Sequence, residues 1–301
     1  MRRRDFIVGG LAAGMTMKFL GEARPNQAKL DRLAVMTLCF NRILKDPDHL
    51  DDPQRTLDIL DLPQMIAGRY GIHYVEFQHT HFTSTELPYL REVRGRLKQA
   101  GSRMNQINLE FDPFDISSPE QYVRLETIDL TKQWIDHAVV LGCPRVMINQ
   151  GTLAPEVLET AKATLKTIVQ YAKPRKVFVT AENRGGGRRP PPPPGTAPRP
   201  TTATWEVLVE VLKAAGAYAN PDIGNFPDEA SRAAGLRVMY PLSSGSSHAH
   251  YAPERYNEAA AIQISKEVGY KGLYSVEASR NNGPDPYVAV QTIVDELVKD
   301  I

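Results

Sequence analysis

The stretch KVFVTAEN, residues 176–183, is a short apolar, β-branched run that ends on a carboxylate, Glu182, and an amide, Asn183. Seven more runs of this kind lie around it, at 33–39, 73–77, 104–111, 145–148, 217–221, 242–247 and 272–276. Between them stand amphipathic segments at 53–69, 119–141, 155–172, 204–215, 253–268 and 286–298. Asp52-Pro53, Ser118-Pro119 and Asp285-Pro286 place a capping side chain before a proline, the pattern that starts a helix. Strand and helix alternate about every 30 residues, and eight such units closing on themselves make an α/β fold, a (β/α)8 TIM barrel. An open doubly wound sheet is the structural alternative. The sixth and seventh runs are short and contain proline or serine, and Gly235 interrupts the helix that should follow Phe226.

The composition fits a single enzyme-sized domain. The chain has 301 residues, 42% hydrophobic and 24% charged, with a formal net charge of +1. That balance excludes nucleic acid as the main partner, since neutralising phosphates demands a basic excess. Two cysteines, Cys39 and Cys143, exclude a disulfide framework and a thiolate metal site. Trp134 falls on the apolar face of its helix and belongs to the core.

Two segments stand outside the repeat. Residues 1–23 begin with Arg2, Arg3 and Arg4 before an apolar run from Phe6 to Met17, too short for a stable membrane anchor. The sequence Arg3-Arg4-Asp5-Phe6-Ile7 resembles the twin-arginine export signal, and Gly21-Glu22-Ala23 offers a cleavage site. The resemblance implies recognition by the twin-arginine export machinery, a periplasmic location and a mature barrel at 24–301 without a membrane anchor. The second segment is a Pro-rich insertion at 184–202, with prolines at 190–194, that favours a stiff polyproline rod and rises beside Glu182 at the fifth strand's end.

Chemistry in such a barrel sits at the C-terminal ends of the strands. There the fifth run delivers Glu182, the sixth Asp222, the seventh His248 and His250, and the eighth Glu277. Three carboxylates brought together require a counter-charge, and a divalent cation supplies it. The expected metal ligands are Glu182, Asp222, His248 and Glu277, with His250 the rival imidazole. Such O/O/N/O donors suit manganese, cobalt, zinc or magnesium, and manganese is the expected ion. Glu76, His79 and His81 after the second strand, with Asn183, Asn225, His250 and Arg280, are expected to line the substrate.

The segments ENRGG at 182, DIGNF at 222, SSHAH ending at His250, GYKGLYSVEA ending at 278 and LGCPRVMINQG at 141–151 together resemble the xylose isomerase-like barrel superfamily, in its sugar phosphate isomerase/epimerase group. The resemblance implies a metal-dependent isomerase or epimerase of a carbohydrate, working through a cis-enediolate, with Glu182 and Glu277 as catalytic acid and base. It departs from that group at Arg184, Asn225 and His250, which alters the residues facing the substrate. A lyase acting on a 3-keto glycoside and a non-catalytic sugar-binding barrel are the alternatives. An endonuclease-like phosphoesterase would need more histidine ligands and a basic groove. Helical faces leave room for a homo-oligomer without specifying one.

Overall fold

A computed structural model describes residues 27–111, 114–184, 204–279 and 282–301. The export signal expected at 1–23, the Pro-rich insertion expected at 184–202 apart from Arg184, and Arg280 fall outside these residues. Among the described ones the eight expected strands are all present: β1 (Leu33–Met36), β2 (Tyr74–Gln78), β3 (Arg103–Asn108), β4 (Arg145–Met147), β5 (Phe178–Glu182), β6 (Tyr218–Asn220), β7 (Ser246–Ala249) and β8 (Leu273–Val276). All neighbouring strands pair in parallel in the order β6-β5-β4-β3-β2-β1-β8-β7. The hoop closes between β6 and β7 through isolated parallel bridges, Ala219 with Ser243 and Asp222 with His248. An open sheet is thereby excluded.

After the short helix α1 (Gln27–Leu30), eight longer helices surround the hoop: α2 (Leu62–Tyr70), α3 (Leu87–Gln99), α4 (Gln121–Leu141), α5 (Leu158–Ala172), α6 (Trp205–Ala215), α7 (Glu229–Met239), α8 (Glu258–Glu267) and α9 (Pro286–Asp300). The Asp285 cap forms as expected, its Oδ1 accepting from the Tyr287 and Val288 amides. Asp52 does not start a helix. Its Oδ1 accepts from the Gln54 amide in a local turn, and Leu57 bridges to Leu44, so α2 begins nine residues later than its proline suggested. Gly235 does not break α7. A side chain there would run into the Phe226 ring, so the glycine admits that ring against the helix. β7 starts later than expected because Tyr240–Leu242 turns as a 3-10 helix.

The core is continuous, with Leu33, Val35, Val75, Phe77, Ile107 and Val146 fully buried, and Trp134 lies within it. Both cysteines are free and buried, and burial pushes each thiol up to about 12. No helix among the described residues is long and apolar enough to cross a membrane.

Candidate metal centre

Four strand ends converge at the C-terminal mouth. Glu182 closes β5, Asp222 lies just past β6, His248 is on β7, and His250 and Glu277 follow β7 and β8. His248 Nδ1 is 2.7 Å from Glu182 Oε2, 3.3 Å from Glu277 Oε2 and 4.0 Å from Asp222 Oδ2. His250 Nε2 is 3.1 Å from Asp222 Oδ2 and 3.4 Å from Glu277 Oε2. Two overlapping groups, Glu182 with Asp222 and His248, and Asp222 with His250 and Glu277, keep their ligand atoms within 4.8 Å of one another. Sequence spacing had favoured His248, and the structure brings both imidazoles to the ring.

The donors fit a cation. Glu182 Oε2 and His248 Nδ1 are both buried and, though close, do not meet hydrogen-bond geometry with each other or with anything else. A buried acceptor left in this way is costly unless something positive lies against both atoms. The electrostatics point the same way. Burial alone would lower His250, but Asp222 and Glu277 outweigh it and bring the imidazole up to about 9. Burial likewise opposes protonation of His248, and Glu76 and Glu182 drive it well above its usual value. Burial would raise Glu182, yet Arg184 and His248 hold it down to about 2. Glu277 is pushed up, by burial first and by neighbouring carboxylates. The ring draws positive charge to itself.

His248 is oriented from below. Its Nε2 lies 2.7 Å from Glu76 Oε1, and in the neutral imidazole that would hold an ion a carboxylate there accepts the Nε2 proton and leaves the Nδ1 lone pair facing the ring. Glu76 was expected to touch substrate. Instead it has no exposed surface, and its oxygens also accept from Asn105 Nδ2 at 3.1 Å and Gln106 Nε2 at 3.2 Å. It sits beneath the imidazole because β2 turns it into the barrel interior.

The other expected substrate contacts divide similarly. Asn183 donates to the carbonyls of Asp222 and Asn225 and accepts from the Asp222 amide, so its side chain fixes the loop after β6 rather than reaching a sugar. Asn225 Nδ2 donates to Asp222 Oδ2 at 2.7 Å and the Gly224 amide donates to Oδ1, which together aim the carboxylate. His79 Nδ1 accepts from the Glu110 amide, and its ring lies on Phe111. His81 Nδ1 meets Thr37 Oγ1 at 2.7 Å. Burial lowers both imidazoles to about 4, and neither joins the donor groups.

Two neighbours of the ring escaped the sequence reading in their roles. Arg184 Nε approaches Glu182 Oε1 at 2.6 Å, and its other nitrogens grip both oxygens of Glu110, two residues past β3. Glu110 carries no motif, and only the pairing reveals it. The polar run Asn105, Gln106 and Asn108 was readable: three amides beside Met104 and Ile107 in one buried strand mark a barrel interior that must satisfy a buried charge.

The sequence profile of the xylose isomerase-like TIM barrel family matches residues 66–297. The chain belongs to that family. Solved structures share the fold at low identity. A xylose isomerase domain protein from Planctomyces limnophilus superposes with a TM-score of 0.60 at 15% identity, over 78% of this chain and 90% of that chain. A xylose isomerase-like TIM barrel protein from Mycobacterium smegmatis, solved in complex with magnesium, gives 0.62 at 15%, over 90% and 97%. D-Psicose 3-epimerase from Clostridium cellulolyticum H10, solved with D-tagatose, gives 0.65 at 11%, over 89% and 96%. Compared by sequence with curated proteins, the chain matches none. For this member of the xylose isomerase-like family, likeness to those structures is a likeness of fold.

Proposed function

We propose that the chain is a divalent-metal-dependent isomerase or epimerase of a carbohydrate. The observation that carries this reading is the pair of buried, partnerless atoms, Glu182 Oε2 and His248 Nδ1, in a ring of strand-end carboxylates backed by Glu76. Glu182, Asp222, His248 and Glu277 would hold the ion, and manganese is the ion we assign. When bound, it supplies positive charge that polarises a substrate carbonyl. The chain's own residues do the rest. Glu277, whose side chain is 21% exposed, faces the mouth and takes a carbon-bound proton. Glu182, kept ionised by Arg184, takes the complementary step from its side of the ring. His250 and the undescribed Arg280 are the side chains assigned to substrate hydroxyls, and the D-psicose 3-epimerase and magnesium-bound relatives support this reading by analogy of fold.

The test is solvent-deuterium exchange across neutral ketoses, aldoses and 3-keto glycosides, with and without a chelator. Deuterium fixed at carbon with the connectivity kept, and lost on chelation, is the expected result. Release of an aglycone would convert the reading to a lyase. Absence of both, in protein shown to contain metal, would leave a sugar-binding barrel.

We also propose, from Arg3-Arg4 and the apolar run that follows, that the chain is exported by the twin-arginine route as residues 24–301 and acts in the periplasm. Changing Arg3 and Arg4 together to lysine should retain the full-length chain in the cytoplasm. Unchanged appearance of a shortened product outside it would refute the assignment.

A further inference from the structure

An open cavity lies behind the loop that follows β7, between the start of α8 and the end of α9. It measures about 540 Å³ and is lined by Tyr251, Glu254, Tyr256, Glu258, Glu296 and Asp300, among others. Among the described residues on its wall, Glu229, Glu254, Glu258, Glu296 and Asp300 stand against a single guanidinium, Arg255. Some of these charges are already engaged. Glu229 pairs with Arg232 and accepts from the Asn257 amide, and Glu296 pairs with Lys299. Glu258 is different: it is 7% exposed, and both of its carboxylate oxygens are buried with no hydrogen-bond partner. It does not cap α8, because Asn257 does so through the Ala260 amide.

We propose that this cavity binds a small organic cation, an amine or guanidinium, through Glu258 with Glu254 and Asp300. A buried carboxylate without a partner is unfavourable, and a cation with donor protons satisfies both its charge and its lone pairs. A bare metal ion fits less well. The donor groups close enough to hold one, among the described residues, both lie at the barrel mouth. The volume falls in the range of small-molecule sites. Tyr256 also ties this cavity to the mouth, its hydroxyl donating to the His250 carbonyl at 2.6 Å. Burial, with Asp300 and Glu296, outweighs the opposing pull of His250 and Lys299 and brings Glu258 up to about 8, so an arriving cation at pH 7 expels a proton.

The experiment titrates agmatine into the full metal-loaded chain at pH 7 by calorimetry in two buffers of different ionisation enthalpy. Magnesium chloride alone and sodium chloride of equal ionic strength serve as controls. Saturable binding below roughly 10 mM, with proton release, is expected. Glu258→Gln should abolish it, and Asp300→Asn should weaken it about fivefold, the size of one partly screened charge pair. Three results would overturn the proposal: no saturable binding, equal binding by Glu258→Gln and the parent, or a Glu258-dependent response to magnesium that matches agmatine. Should Glu258→Gln fail to fold, parent-like affinity in Asp300→Asn and Glu254→Gln would do the same.

Discussion

Glu277→Gln should lower carbon–deuterium exchange by about 10²–10⁴-fold, the range lost with a general acid–base group. The reasoning rests on unequal carboxylates. Glu182 Oε1 lies against Arg184, Oε2 faces the buried His248 Nδ1 without a hydrogen bond, and the side chain is 8% exposed. Glu277 approaches the imidazoles through Oε2 alone and is more open to the mouth. Of the two carboxylates that move a proton, Glu277 has the freer lone pair toward the mouth, so its loss should cost the larger share of the rate. Glutamine preserves the shape and a weak oxygen donor while removing the basicity. Because Glu277 is also assigned to the ion, metal content must be measured on the same sample. A metal-replete Glu277→Gln protein that exchanges at the parental rate would remove Glu277 from the chemistry.

Glu76→Gln should weaken metal binding by about 10–100-fold, the usual consequence of losing the partner that orients a histidine ligand. Glutamine can offer its amide nitrogen to His248 Nε2, which favours the wrong tautomer and puts the ring's proton on Nδ1, toward the ion. Glu76→Ala should go further. It leaves Asn105, Gln106 and His248 without their common acceptor in a fully buried layer, and about 3–5 kcal/mol of stability should be lost. Calorimetric metal titration checks the first variant and urea unfolding the second. Parental affinity in Glu76→Gln would mean that His248 needs no support from below.

These variants also show where sequence reading reached and where it stopped. KVFVTAEN and its counterparts announced strands because their alternation is local, and their final carboxylates announced a rim because strand direction is fixed in a parallel barrel. Glu182, Asp222, His248 and Glu277 could therefore be grouped before any coordinates. Glu76 was visible too, but whether a strand residue points into the barrel or up to its mouth depends on a register that only the assembled sheet sets. Its pairing with His248 spans 172 positions. Asn183 was misjudged for a related reason: being adjacent to a ligand suggested the substrate, whereas its amide complements backbone groups of the next loop. Asp52-Pro53 misled because an Asx turn and a helix start share the same residues.

The closing pair of the barrel has a mechanical meaning. β6 and β7 lack the continuous ladder found between other neighbours, and the bridge nearest the mouth is formed by Asp222 and His248 themselves. An ion held by those two side chains would rivet the weakest stave joint of the cylinder. Loading the cofactor would then be the last act of construction as well as the first of turnover, and a protein stripped of it would be less well fastened as well as inactive.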